Sequence, residues 1–268
     1  MARDGSLSLA ERIIIPLDFS RPEEAFGVVE MLVSSGCWFK LGLEAITASL
    51  NPDVPIVANC IKLIKREGGR IFFDGKFCDI PNTVGAAAAN AAALGGVDAF
   101  NMHAWSGRKA MLKAVANRGQ AEVWVVTLLT SLGYEDLADL GFFGMPSNMM
   151  TGYAKEGKIQ YLVRRMAVVA KECGCQGIIC SPRELPALQD ISLTKITPGV
   201  RPEWASQDDQ KRIMTPREAI AKGADFLVIG RPITSPPPTM GGPKEAFNRV
   251  LDEILLGLEE RPLGKVGA

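Results

Sequence analysis

Eight short apolar runs punctuate the chain, separated by longer stretches with helical period. The runs lie at residues 12–17 (RIIIPL), 38–43 (WFKLGL), 70–76 (RIFFDGK) and 98–104 (DAFNMHA), then at 122–129 (EVWVVTLL), 177–181 (GIICS), 195–200 (KITPGV) and 226–233 (FLVIGRPI). Most are continuous rather than alternating, as expected of strands buried on both faces. Strands alternating with helices predict a parallel sheet with helices outside it. Helix starts are marked: Pro22 opens one first turn, with Glu23 and Glu24 at the positive dipole end. Thr215-Pro216-Arg217-Glu218 has the form of a capping box. Eight repeats of strand and helix without a linker-like composition shift predict an α/β fold, a (β/α)8 TIM barrel, as a single domain over 1–268. The same alternation also feeds a doubly wound open sheet, the alternative. Residues 141–158 read as a long insertion-like connection rich in Gly and Met, and residues 234–243 as a proline-rich turn before the last helix.

Composition narrows the function classes more than it alters the fold. A length of 268 residues suits one barrel of about 250. Lys+Arg and Asp+Glu both total 30, so no net field draws the chain to nucleic acid or to an anionic membrane. The six cysteines include no CxxC pair, and the single histidine, His103, leaves no zinc ligand set and no mechanism needing two imidazoles. Reduced thiols in a cytosol are expected, with the CGC of 173–175 read as buried thiols at a helix terminus. The N-terminal stretch holds acidic residues and only a short apolar run, so neither a secretory signal nor a membrane span is predicted there. A cytoplasmic protein follows.

In such a barrel the site gathers at the C-terminal ends of the strands. Asp18 closes the first run, Lys40 sits in the second, and Asp74 and Lys76 close the third. A separation of two places Asp74 and Lys76 on one strand face. Asp79 follows in the loop, and Thr83 begins the next helix. One Asp/Lys pair alone reads as a rim salt bridge, but four charges at strand ends are costly unless paired and mark a candidate catalytic array. A second group follows the last two strands: Gly199, Arg201, Gln210, Gly230 and Arg231. Glycines let the backbone approach an anion, and the arginine fork matches phosphate oxygens.

Taken in order, these residues resemble the orotidine 5'-phosphate decarboxylase family. FDGKFCDIPNTV at 73–84 is similar to that family's D-x-K-x-x-D-I-P-N-T signature. IIIPLDF near 13, NMHA at 101, TLLTS at 127, TPGVRP at 197, DDQKRIMTP at 208 and VIGRPIT at 228 also match. The resemblance implies decarboxylation of orotidine 5'-monophosphate with neither metal nor organic cofactor. It implies that Asp18 and Lys40 hold the ribose, that Asp74 faces the substrate carboxylate, and that Lys76 protonates C6. Asp79 and Thr83 would reach the neighbouring subunit's nucleotide in a homodimer with shared sites. Thr130, or Ser131 beside it, would lie near the pyrimidine. Arg201, Gln210, Gly230 and Arg231 would grip the phosphate, Gln210 from a closing loop. The resemblance leaves two other readings, a magnesium-dependent sugar-phosphate decarboxylase or aldolase of a related barrel group and a non-catalytic nucleotide-binding barrel. His103, after the fourth strand, is expected to be a hydrogen-bonded core residue.

Overall fold

The computed structural model describes residues 7–143, 151–205 and 214–262. Its strands are β1 (Ile13–Pro16), β2 (Trp38–Leu41), β3 (Arg70–Phe77), β4 (Ala99–His103), β5 (Glu122–Val126), β6 (Gly177–Ile179), β7 (Thr194–Pro198) and β8 (Phe226–Val228). Each pairs in parallel with its neighbour in sequence, and β8 pairs with β1 through Ile13↔Leu227 and Ile14↔Val228. The sheet is therefore a closed barrel and not an open, doubly wound sheet.

The two faces of each strand carry different loads. Ile13, Ile15 and Leu17 pack toward the helices while Ile14 points into the barrel. Trp38, Phe72, Trp124 and Phe226 fill the interior, with Phe72 and Trp124 ring centroids 4.7 Å apart and Trp38 and Trp124 5.4 Å apart. Each such side chain contributes about 1.5–3 kcal/mol through burial. Gly177 makes room for this cluster: a Cβ there would lie 2.7 Å from Trp124 Cδ1. The aromatic layer fills the barrel interior at this level.

Around the sheet run α1 (Pro22–Leu32), α2 (Leu43–Ala48), α3 (Ile56–Arg66), α4 (Pro81–Ala93), α5 (Gly107–Asn117), α6 (Tyr134–Asp139), α7 (Gly152–Glu172), α8 (Pro216–Ala221), α9 (Arg231–Thr234) and α10 (Pro243–Glu260). The predicted capping box is present: Glu218 N–H donates to Thr215 Oγ1 at 3.2 Å, and Thr215 N–H donates to Glu218 Oε2 at 3.0 Å. Among the described residues no helix is long and apolar enough to cross a membrane. All six cysteines are unpaired, and Cys173 and Cys175 are buried at the end of α7.

Three local expectations need correction. The β6–β7 link is a 3-10 helix, Pro182–Leu188, and not an α-helix, because Pro186 inside it lacks an N–H and blocks the preceding turn. The run at 226–233 stops being a strand at Val228, and Arg231–Thr234 turns into α9 with a proline in its first turn. Of the connection at 141–158, residues 144–150 lie outside the described set, whereas Gly152 onward is helix. Thr151 Oγ1 caps that helix by accepting from Ala154 N–H at 3.3 Å.

Candidate active site

Strand alternation carries polar groups to the level above the aromatic floor. Two residues beyond Trp38, Phe72 and Ala99 come Lys40, Asp74 and Asn101, all buried. Lys40 donates to Asp18 Oδ1 at 2.8 Å and Oδ2 at 3.1 Å, and its Nζ lies 3.1 Å from Asp74 Oδ2. Lys76 donates to both Asp74 oxygens at 2.7 Å. Asn101 Nδ2 donates to Asp74 Oδ1 at 2.6 Å. Asp18, Lys40, Asp74 and Lys76 thus form one chain of alternating sign. Asp18 lies two residues past the end of β1, and Lys76 lies inside β3.

Lys76 reaches this position by an irregular route. The β3–β4 register shifts between Phe73 and Phe77, and Lys76 has φ 47, in the left-handed region. A side chain held there costs about 1–3 kcal/mol and persists only where its surroundings fix it. Lys76 N–H donates to Asn101 Oδ1 at 2.7 Å, which supplies part of that restraint. Gly42 has a comparable steric role, since a Cβ would lie 2.5 Å from Asp18 Oδ1 and 2.6 Å from Lys40 Nζ.

The ionisation of the array follows from its packing. Burial alone would raise the Asp74 carboxyl, but Lys40 and then Lys76 overcome it and hold the group below its ordinary value. Burial would lower Lys40, yet Asp74 and Asp18 together raise it. Both are ionised at neutral pH. Burial, and then Lys76, lower His103, so the ring is neutral at pH 7. The expectation of a hydrogen-bonded core histidine is corrected: His103 is half-buried, and its Nδ1 has no hydrogen-bond partner among the described residues.

A cavity of about 570 Å³ opens above the array. Asp18, Lys40, Asp74 and Lys76 line it from the ends of β1 to β3, and Gly199, Arg201, Gly230 and Arg231 line it from the ends of β7 and β8. Gly199 has φ 79, and the chain after it returns so that Arg201 N–H donates to Met214 O at 3.0 Å, with the arginine buried. Gly230 packs where a Cβ would lie 2.9 Å from Pro16 Cγ. Thr130 lines the cavity, while Ser131 does not. Phe72, Val126, Ile179 and Ile196 give it an apolar floor. Gln210 lies outside the described residues.

Asp79 and Thr83 are not brought to this chain's cavity. Both are exposed, and Asp79 Oδ1 accepts from Ile80 N–H at 2.6 Å. Three residues of the site escaped the sequence reading. Asn101 and Gly42 were visible only as a polar position inside one apolar run and as a glycine inside another. Glu44, which lines the mouth and accepts from Ser20 Oγ at 2.8 Å, resembled an ordinary first-turn acid. Among the described residues no group of three or more His, Cys, Asp or Glu side chains is arranged to hold a metal ion.

Comparison with known proteins agrees with this geometry. The model of the orotidine 5'-phosphate decarboxylase / HUMPS family matches residues 11–240. The orotidine 5'-phosphate decarboxylase of Gloeothece citriformis is 37% identical over 251 residues, 91% of this chain and 97% of the relative. That of Nitrosospira multiformis is 40% identical over 228 residues, 83% and 87% of the two chains. The crystal structure of orotidine 5'-phosphate decarboxylase from Lactobacillus acidophilus superposes with a TM-score of 0.69 at 26% identity, covering 90% of this chain and 98% of that one. With the barrel closed, its charged mouth built and the match running through nearly all of both, the chain belongs to the orotidine 5'-phosphate decarboxylase / HUMPS family.

Proposed function

We propose that this enzyme decarboxylates orotidine 5'-monophosphate to uridine 5'-monophosphate, in pyrimidine nucleotide synthesis, without metal or organic cofactor. One observation carries the reading. A buried carboxylate, Asp74, is clasped by two lysines in the lining of a cavity that Arg201 and Arg231 also line. The named relatives support the same substrate.

The chemistry explains the residue types. Breaking the bond from C6 to the carboxylate leaves the electron pair on C6 and releases neutral carbon dioxide. That carbanion has no conjugated sink, so fixed positive charge in a water-poor site must stabilise it. Lys76 supplies the charge and then gives C6 a proton, which it regains from water. Asp74 holds the Lys76 ammonium and, as a like charge, faces the substrate carboxylate. Asp18 and Lys40 hold the ribose, and Thr130 lies beside the pyrimidine. Arg201, Gly230 and Arg231, with Gln210, grip the phosphate, whose binding energy is used to organise the reacting end.

The working unit in this reading is a cytoplasmic homodimer. Asp79 and Thr83 of each chain lie outside its own cavity on exposed backbone, where they are available to a neighbour. Each site is then completed by the partner subunit's Asp79 and the partner subunit's Thr83. The test is direct: absorbance of orotidine 5'-monophosphate is followed with purified protein and excess chelator. Undiminished turnover is expected. Turnover that is lost in chelator and restored by magnesium overturns the metal-free reading in favour of a sugar-phosphate type of chemistry.

A further inference from the structure

We propose that Asn101 is a positioning residue of the reaction, its carboxamide fixing the Asp74 carboxylate through Nδ2 and the Lys76 backbone through Oδ1. The proposal rests on the decarboxylation reading above.

Asn101 is fully buried in the middle of β4. A buried amide is costly unless its polar atoms are bonded. Here both ends of the amide are used, and both bonds go to the two residues of the array nearest the reacting carbon: 2.6 Å to Asp74 Oδ1 and 2.7 Å to Lys76 N. Asn101 also stands opposite the stretch where β3 loses its register with β4. Lys76 there adopts a backbone conformation that L side chains rarely take, so the acceptor on its N–H restrains the segment that aims the ammonium.

The second bond matters during turnover. When Lys76 yields its proton, Asp74 loses one of its two cationic partners. Lys40 remains, and so does the Asn101 amide, a donor that does not titrate at working pH. The carboxylate is then held in one orientation through the step. Misplacement of a reacting group by about 1 Å can cost on the order of a hundredfold in rate.

Two variants test this by separating kcat from binding. Asn101→Ala removes both bonds. Its kcat is expected to fall at least tenfold, while affinity for uridine 5'-monophosphate, which lacks the carboxylate, stays within about threefold of the parent. Asn101→Asp keeps shape and the acceptor toward Lys76 but replaces the donor by a second carboxylate. Its kcat is expected to be depressed at pH 7 and to rise as pH falls, because the added carboxyl, once protonated, again donates to Asp74. A purely structural role does not produce that slope. A kcat within twofold of the parent in Asn101→Ala overturns the proposal, as does an Asn101→Asp profile parallel to the parent's. If Asn101→Ala fails to fold, the Asn101→Asp profile alone decides. An inactive parent overturns the decarboxylation reading and this inference with it, whereas an active parent with an equally active variant overturns the inference alone.

Discussion

Gly42→Ala adds a single methyl group at the mouth of the barrel and tests how tightly the array is set. Its Cβ would lie 2.5 Å from Asp18 Oδ1 and 2.6 Å from Lys40 Nζ, whereas ordinary contact begins at 3.4 Å. The pair must therefore retreat by about 0.8 Å. Asp18 is half-exposed and can swing outward, but the Lys40 ammonium is already bracketed at 2.8 Å by Asp18 and 3.1 Å by Asp74. Moving it stretches at least one contact past hydrogen-bonding range. A charge-assisted hydrogen bond contributes roughly 1.5–3 kcal/mol, and since one partner is partly solvated we expect a loss of about 1–2 kcal/mol in stability. That corresponds to a fall in Tm of roughly 2–8 °C for a chain of this size. The displaced ammonium should lower kcat/KM by roughly 10- to 100-fold. Thermal unfolding and the absorbance assay read both numbers. Gly27→Ala is the control: its Cβ meets nothing within 4 Å on exposed α1, so activity should hold and stability should rise by about 0.5–1 kcal/mol. A Gly42→Ala protein with parental Tm and kcat/KM within twofold would refute the claim that the ion pair is sterically fixed.

Arg231→Ala should act mainly on phosphate binding, raising KM roughly 10- to 100-fold, and an unchanged KM in steady-state kinetics would count against the grip. Lys76→Ala and Asp79→Ala should each be inactive alone, yet mixing them should restore part of the activity through hybrid dimers. No recovery, given subunit exchange demonstrated by mass or fluorescence, would favour a site complete within one chain. Glu253 on α10 offers a pH test. Burial, and then Glu203, push its carboxyl up to about 7 against hydrogen bonds from Trp204 and the Arg217 backbone. The folded state therefore holds this proton more tightly than the unfolded state, and stability falls as pH rises from the ordinary value of 4.5 toward about 7. Discounted for its partly solvated position, the effect is about 1 kcal/mol, or roughly 2–4 °C in Tm. Glu253→Gln should lose that slope and melt higher than the parent at pH 8; parallel Tm–pH curves would contradict the assignment.

The sequence displayed the barrel readily because strands buried on both faces are written as unbroken apolar runs, and all eight such runs contain a strand. It overshot at their ends. The apolar run Leu227, Val228 and Ile229 is followed by a further apolar residue at Ile233, but pairing with β1 reaches only Ile14↔Val228, after which Gly230 and Pro232 redirect the backbone. The charge array was legible from spacing, although for Lys76 the rule of alternation succeeded on a backbone that does not alternate regularly. Asn101 and Gly42 were not legible. The role of each depends on what a neighbouring strand places beside it, Asp74 in one case and the Asp18–Lys40 pair in the other, and local pattern contains no such term. The general alternation of strand and helix also overstated the β6–β7 link, where Ser181 and Glu184 make a capping box but Pro186 stops the turn from continuing as α.

The interior ring cluster has a practical consequence for measurement. Trp38 and Trp124 sit sealed in the barrel, whereas Trp105 follows β4 with 40% exposure and Trp204 lies half-buried just before residues 206–213. The four indoles therefore divide into a shielded pair, packed with Phe72 and Phe226 inside the barrel, and a pair open in part to solvent. A collisional quencher in water should accordingly reach Trp105 and Trp204 and spare Trp38 and Trp124 for as long as the barrel stays folded.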